Sequence, residues 1–148
     1  EGKLKAVITQ NIDGLHQAAG SKEVLELHGS VLRNHCTRCG RFYGLDDILK
    51  MKGVPKCGCG GVIKPDVVLY EEGLDNEVIE RSIAHIRKAD MLIIGGTSLV
   101  VYPAAGLIDY YHGNKLVLIN KSATSRDGQA DLVISDTIGK VLGDAGGV

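Results

Sequence analysis

The sequence lacks several features that are typical of nucleic-acid-binding, membrane-spanning and secreted proteins. It has no Trp and no run of basic residues, and its 17 Lys and Arg are balanced by 18 Asp and Glu, for a formal net charge of −1. We therefore expect no direct binding to nucleic acid or to an anionic membrane surface. No apolar stretch approaches the roughly 20 residues that cross a bilayer, and the opening residues lack the charged-then-apolar pattern of a secretory leader. We expect a cytoplasmic protein.

The 148 residues are 44% hydrophobic, which suffices for the core of one domain of ordinary size. Continuous apolar runs predict buried strands, and amphipathic segments predict helices, one of which Asp75 should cap. The predicted strands are residues 5–9, 24–28, 91–94, 115–120 and 131–134, and the predicted helices are residues 45–51, 75–88 and 103–112, with a last helix from 138. Such alternation indicates an α/β fold whose parallel sheet is covered on both faces.

The four cysteines form two close pairs, Cys36 with Cys39 and Cys57 with Cys59. Paired thiols at this spacing, in a chain without a leader pattern, favour a metal site over disulfides. Four thiolates match the tetrahedral geometry of zinc and leave no open position for a substrate. We therefore predict a structural zinc site in an inserted domain of residues 31–64. Buried thiols without a metal are the alternative.

Polar residues follow three of the predicted strands, where parallel sheets bind their ligands. They are Gln10, Asn11 and Asp13 after the first strand, Gly96, Thr97 and Ser98 after a later one, and Asn120 after the next. A short loop of small residues lets backbone N–H groups approach phosphate or ribose, and two amides with a carboxylate can hold an amide-bearing ring. The pattern favours a nucleotide site. A plain strand-to-helix turn and an ordinary polar turn are the alternatives.

His28 ends a predicted strand at the same ligand-binding edge, with Gly29 behind it. Neutral imidazole is the natural general base near pH 7, so His28 is a candidate catalytic base. A structural histidine is the alternative. Residues 65–70 are apolar and follow the cysteines, and one more core strand is the simplest interpretation of Val67 and Val68.

Taken together, these residues resemble the sirtuin family. The matching runs, in the family's order over nearly the whole chain, are residues 9–16 (TQNIDGLH), 27–30 (LHGS), the four cysteines, 65–68 (PDVV), 96–99 (GTSL) with Pro103 and Ala104, and 118–120 (LIN). The resemblance implies a Rossmann-like domain formed by residues 1–30 and 65–148, with a small zinc ribbon inserted at 31–64. It also implies NAD and zinc as cofactors.

The implied reaction removes acyl groups, such as acetyl, from protein lysine side chains and transfers them to ADP-ribose, with release of nicotinamide. The resemblance makes His28 the base that activates a ribose hydroxyl. The implied NAD contacts are nicotinamide with Asn11 and Asp13, the adjacent ribose with Gln10, further ribose and phosphate with Gly96, Thr97 and Ser98, and the adenosine ribose with Asn120. An acyl-lysine protein or peptide would lie along Val67, Val68 and Leu69 as an added β-strand.

The sequence departs from the family pattern in three places. Tyr70, Glu71 and Glu72 stand where the family commonly has Phe-Gly-Glu, and the second cysteine pair is Cys-x-Cys. The family's glycine-rich phosphate loop and its Gly-Ile-Pro-x-Phe-Arg stretch precede the matched residues, and neither is found here. We therefore expect a Rossmann sheet that is incomplete at its N-terminal end, a second chain or segment that completes it, and no activity from this chain alone.

Two other functions fit the same residues. A protein mono-ADP-ribosyltransferase would use the same NAD site with a different acceptor. A non-catalytic zinc-ribbon binding module is less compatible with the sequence, because His28, Asn11 and Asp13 are all in place.

Overall fold

A computed structural model describes residues 2–147. They divide into two compact units, and the division lies between Arg81 and Ser82, inside helix α3, Asn76–Lys88. The first unit contains β1 Val7–Thr9, α1 Leu15–Ala18, β2 Val24–Glu26, β3 Gly29–Cys36, β4 Phe42–Gly44, α2 Leu45–Leu49 and β5 Ile63–Val67. The second contains β6 Leu92–Gly95, β7 Leu116–Ile119, β8 Leu132–Ile134 and α4 Ile138–Gly146, with 3-10 helices at Ala104–Tyr110 and Asp127–Gln129. In residues 2–147, no helix combines the length and apolar character that a membrane crossing requires.

Strands β1 and β2 form a parallel pair of three residues each, with Val7 opposite Val24. The predicted strands at 5–9 and 24–28 are therefore present but shorter than expected. The second strand stops at Glu26, before the predicted His28, and Gly29 begins β3. Leu27 still donates its N–H to the backbone oxygen of Thr9 (2.9 Å), and the chain then turns at His28.

A second, antiparallel sheet has the strand order β4-β3-β5. Its small core consists of Cys36, Cys57 and Ile63, packed by Tyr43, Ile48 and Met51. Helix α2 lies within the predicted 45–51, and the Asp47 carboxylate accepts the N–H of Gly44 (3.2 Å) at its start. The register of β3 against β5 shifts between Ser30 and Asn34, and we call residues 31–33 the bulge.

Helix α3 begins where the sequence predicted. The carboxylate of Asp75 accepts the N–H groups of Glu77 (2.8 Å) and Val78 (3.4 Å) in the first turn of the helix. Arg87 and Lys88 lie in the last turn, where cations favour the helix dipole.

The second unit is built on a parallel sheet of order β6-β7-β8, which confirms the predicted strand type. The central strand supplies the core through Leu116, Leu118 and Ile119. The helix predicted at 103–112 is a 3-10 helix, with Gly106 N–H donating to the backbone oxygen of Pro103 (3.0 Å). Gly106 is a weak α-helix former, which favours the tighter turn.

One expectation about this sheet is wrong. Its strands were predicted to be buried on both faces, yet Ile93 and Leu132 are 46% and 50% exposed. Both lie in register with Val117 of the central strand, so these residues share one face. Within residues 2–147, this face of the parallel sheet stays partly open to solvent.

Candidate functional site

The predicted base, His28, is half-buried in the turn between β2 and β3. Its Nδ1 atom lies 3.1 Å from the backbone oxygen of Gln10. Because a carbonyl oxygen only accepts hydrogen bonds, the neutral ring that makes this contact holds its proton on Nδ1. The Nε2 atom then keeps its lone pair and can accept a proton from a substrate. The main chain at Gln10 thus sets the tautomer that a general base requires.

The β1 loop, residues 11–14, presents the exposed side chains of Asn11 and Asp13. The N–H of Asn11 donates to Thr9 Oγ1 (3.0 Å), and one carboxylate oxygen of Asp13 accepts the N–H of Leu15 (3.0 Å). These bonds fix the loop next to the Gln10 oxygen that orients His28. A side-chain amide and a carboxylate two residues apart suit a ligand that offers both donors and acceptors.

Gly29 brings the His28 turn against β5. Its φ is 75°, and a Cβ at this position would collide with the backbone oxygen of Asp66. Only glycine therefore permits this close approach. As a result, Gly29 pairs with Val67, and the N–H of Val68 donates to the backbone oxygen of His28 (3.1 Å). The structure places two of the predicted substrate-binding residues directly beside the predicted base.

Hydrogen bonds to Glu72 fix the conformation of the segment after β5. The Glu72 carboxylate accepts the N–H of Leu69 (2.9 Å) and two hydrogen bonds from Lys64 Nζ (3.0 and 3.1 Å). The Leu69 N–H and then Lys64 hold the pKa of Glu72 below its usual value. Leu69 and Tyr70 are exposed. Glu71, which stands where the resemblance has glycine, adopts φ 70°, the conformation that glycine takes without cost.

The four cysteines converge as predicted. Their Sγ atoms all lie within 4.8 Å of one another, with Cys36 and Cys59 at 3.5 Å and Cys39 and Cys57 at 3.6 Å. A Cβ on Gly61 would lie 2.7 Å from Cys36 Sγ, so glycine is needed for the two turns to approach. Tetrahedral zinc with Zn–S bonds of about 2.3 Å requires sulfurs about 3.8 Å apart, which lies within the observed range.

The electrostatics of this thiol cluster also suit a cation. The N–H of Cys59 and then the Tyr43 hydroxyl lower the pKa of the Cys57 thiol to about 6. The N–H groups of Cys39 and Arg38 lower the pKa of Cys36. At Cys59, the Gly61 backbone lowers the pKa, but the neighbouring sulfurs of Cys36 and Cys57 outweigh it and raise the pKa to about 12. The pKa is lowered at two thiols and raised at a third, and a bound divalent metal favours the thiolate form of all of them.

The predicted ribose-binding residues lie in the second unit, at the carboxyl ends of β6 and β7. Gly96 has φ 65° and donates its N–H to the backbone oxygen of Ile119 (3.1 Å). The side-chain amide of Asn120 donates to the backbone oxygen of Thr97 (2.7 Å), and the exposed Ser98 follows. These two hydrogen bonds join the turn after β6 to the end of β7. The Asn120 amide thereby holds Thr97 in place.

Gly95 has a separate structural task. A Cβ there would collide with the side chain of Ile138 at the start of α4, so glycine lets the helix approach the end of β6. Leu99 ends the turn with φ 54° and donates its N–H to Thr97 Oγ1 (3.3 Å).

Sequence reasoning missed four residues that shape these sites: Ser30, Asn34, Tyr43 and Glu72. Ser30 and Asn34 are 0% and 4% exposed. They alternate with Cys36 along β3, so a polar residue on the inward face of a strand was the pattern that could have revealed them. Tyr43 acts on Cys57 of the second cysteine pair, and Glu72 acts through Lys64 and the N–H of Leu69; no hydrophobic period marks either residue.

Comparison with known proteins supports this geometry. The sequence model described as "Sir2 family" matches residues 1–103. The NAD-dependent protein deacetylase of Clostridium perfringens (strain 13 / Type A) is 71% identical over 144 residues, which are 96% of this chain and 59% of that protein. Its Clostridium acetobutylicum counterpart is 66% identical with the same coverage. The chain thus spans about three fifths of the length of the curated relatives it matches.

Solved structures of Sir2 are also similar to this chain. The crystal structure of Sir2 in complex with the inhibitor EX-527, 2′-O-acetyl-ADP-ribose and deacetylated p53 peptide has a TM-score of 0.87 and 41% identity, over 97% of this chain and 65% of that one. A complex of Sir2 with p53 peptide and NAD+ has a TM-score of 0.87 and 40% identity, over 97% of this chain and 64% of that one. At this identity the likeness extends to the whole described fold.

Proposed function

This chain belongs to the Sir2 family, and on that premise we propose that it forms part of an NAD-dependent protein-lysine deacylase. The reaction converts an acyl-lysine side chain, NAD and water into free lysine, nicotinamide and O-acyl-ADP-ribose. NAD supplies the electrophilic ribose carbon that takes the acyl oxygen as nicotinamide leaves. The residues of this chain would bind and orient NAD and the acyl-lysine side chain, and one of them would accept a proton.

The observation that carries the proposal is the orientation of His28. Its Nδ1–H is bound by the Gln10 oxygen, so Nε2 is the nitrogen that takes the proton of a ribose hydroxyl. That hydroxyl would then attack the acyl carbon, and water would replace the lysine nitrogen on it, so that lysine leaves and the acyl group stays on ADP-ribose. Asn11 and Asp13, on the adjacent β1 loop, would hold the nicotinamide amide, and Gln10 the neighbouring ribose.

In the second unit, the turn formed by Gly96, Thr97 and Ser98 would contact further ribose and phosphate groups of NAD. The positive φ of Gly96 leaves no Cβ between its backbone and a ligand, and Thr97 and Ser98 add hydroxyl groups. Asn120 would contact the adenosine ribose. Its amide already holds the Thr97 oxygen, so the turn is organised before the cofactor binds.

The acyl-lysine substrate would pair with the segment Val67, Val68 and Leu69. Strand β5 is the last strand in the order β4-β3-β5, so one side of it has no strand neighbour in the described sheet. An extended peptide can add itself to such an edge through main-chain hydrogen bonds. The exposed Leu69 would lie along the acyl chain.

The four thiolates would hold one zinc ion in a structural role. A closed site of four thiolates has no position for substrate, so the metal would stabilise the β4-β3-β5 sheet. Free thiols persist in a reducing compartment, and this supports a cytoplasmic location. The domain boundaries expected from the resemblance, 31–64 for the zinc ribbon, enclose β4, α2 and all four cysteines.

The test is His28→Ala in a protein that joins this chain to the further sequence its relatives possess. Acyl-peptide-dependent nicotinamide release should fall by roughly two to four orders of magnitude, because the ribose hydroxyl loses its base. Zinc content and fold should not change. His112→Ala, at an exposed histidine of the second unit, is the matched control and should keep the wild-type rate.

Near wild-type turnover of His28→Ala would remove His28 from the mechanism. Transfer of ADP-ribose to protein without deacylation would favour the mono-ADP-ribosyltransferase, and neither activity would favour a binding module.

A further inference from the structure

The bulge in β3 lies between the thiol cluster and the predicted catalytic residues. Ser30 is opposite Asp66 and Asn34 is opposite Pro65, so two consecutive residues of β5 face positions four apart on β3. Residues 31–33 therefore have no partner on β5, although Arg33 still pairs with Gly44 of β4. Cys36, a predicted zinc ligand, follows Asn34 by two positions.

Two buried side chains fix the shape of this bulge. Ser30 Oγ accepts the N–H of Leu32 (3.1 Å), and Asn34 Nδ2 donates to the backbone oxygen of Val31 (3.2 Å). Both side chains belong to almost fully buried residues. A buried polar group destabilises a fold unless it is hydrogen-bonded, and here the bonds satisfy bulge atoms that the ladder leaves unpaired.

The outer side of the bulge is fixed as well. Arg33 NH1 donates to the Glu26 carboxylate (2.8 Å), and Arg33 Nε lies 3.8 Å from the Asp66 carboxylate. Glu26 is the last residue of β2, two positions before His28. The bulge is thus tied to the strand that leads into the predicted base.

The tip of the bulge contacts the β1 loop. Val31 donates its N–H to the backbone oxygen of Ile12 (3.0 Å). Leu32 packs on Gly14, where an added Cβ would lie 2.5 Å from Leu32 Cδ1. Ile12 lies between Asn11 and Asp13, so the main-chain bond from Val31 supports both of their side chains.

We propose that Asn34 and Ser30 are positioning residues, which hold the bulge in the one shape that supports the β1 loop. The functional meaning of this support, placement of Asn11 and Asp13 against nicotinamide, rests on the proposed function. The bulge also connects the thiol cluster to the β1 loop through β3. Asn34 touches no reacting atom, and its effect passes through Val31 to Ile12.

Amide hydrogen exchange of the zinc-loaded protein, followed by NMR, tests the link directly. Asn34→Asp keeps the side-chain size but replaces the donor with an acceptor that repels the Val31 oxygen. Exchange of the Val31 amide and of residues 11–14 should accelerate about tenfold, the effect of one lost hydrogen bond. The amides of Cys36 and Ile63 should keep their protection, and zinc content should not change.

Thr37→Val is the matched control. It removes another side-chain bond to a backbone oxygen from the same stretch of chain, Thr37 Oγ1 to Val62 (3.0 Å), and should leave the β1 loop unchanged. Leu32→Ala keeps the test decisive if Asn34→Asp fails to fold, because Leu32 is 40% exposed. Its loss should accelerate exchange in the β1 loop by a smaller factor.

Unchanged exchange in residues 11–14 of a folded Asn34→Asp or Leu32→Ala protein would overturn the proposal. In the longer protein used for His28, Asn34→Asp should raise KM for NAD several-fold and leave KM for the acyl peptide unchanged. Equal rises in both would contradict a role specific to the β1 loop. An inactive wild-type protein would instead contradict the proposed function, and the exchange result would still decide the positioning role.

Discussion

The two three-stranded sheets of this protein achieve stability by different means. The hydrophobic cluster of the antiparallel sheet β4-β3-β5 contains three buried residues, and two of them are predicted zinc ligands. In the parallel sheet β6-β7-β8, the central strand instead buries Leu116, Leu118 and Ile119. A small module that cannot bury enough apolar surface can use a metal in its place. The first sheet should therefore depend on zinc and the second on side-chain volume.

Removal of zinc should have the largest effect and should divide the two sheets. Structural zinc contributes on the order of 10 kcal/mol to folding, so a chelator should abolish amide protection in β3, β4 and β5. The amides of β6, β7 and β8 should keep theirs. Hydrogen exchange on the chelated and the zinc-reloaded protein measures both. Protected β3 and β5 amides in metal-free protein would show that the small core suffices alone.

A cavity created by mutation in the parallel sheet should destabilise the second unit and leave the zinc-dependent sheet unaffected. Leu118 is 2% exposed, and Leu118→Ala should destabilise the second unit by about 2–5 kcal/mol in urea unfolding. Zinc content should be unaffected. Leu132→Ala, on the open face of the same sheet, is the control and should cost less than about 1 kcal/mol. Equal losses from the two variants would mean that the exposed face is covered in solution.

The smallest effect should come from two residues with positive φ. Glu71 (φ 70°) is exposed in the first unit, whereas Leu99 (φ 54°) is buried in the second. Glu71→Gly should relieve backbone strain and stabilise by about 1 kcal/mol. Leu99→Gly relieves the same strain but loses a buried side chain, so it should destabilise. Thermal unfolding should show a higher Tm for Glu71→Gly and a lower Tm for Leu99→Gly. Tm shifts in the same direction would contradict this prediction.

The parts of the fold that follow from the sequence are those specified by neighbouring residues. The spacing of Cys36, Cys39, Cys57 and Cys59 predicted the cluster, because each pair lies within one tight turn. Asp75 predicted the start of α3 for the same reason, since its hydrogen bonds reach only two and three residues ahead. Local geometry can be recognised without knowledge of the rest of the chain.

The parts that did not follow depend on contacts between distant residues. The bulge exists because β5 pairs with β3 in two registers, and neither strand alone contains that information. The exposure of Ile93 likewise depends on what packs above β6, so an apolar run predicted burial that residues 2–147 do not provide.

The bond between His28 and the main chain at Gln10 has an evolutionary consequence. Every residue supplies the same backbone oxygen, so the acceptor persists whatever side chain occupies position 10. Where a carboxylate side chain orients a catalytic histidine, a single substitution can remove the acceptor. Here, drift at position 10 can alter contacts with a ligand while the imidazole tautomer stays the same. Side-chain contacts at this position can therefore change without any change in the tautomer of the predicted base.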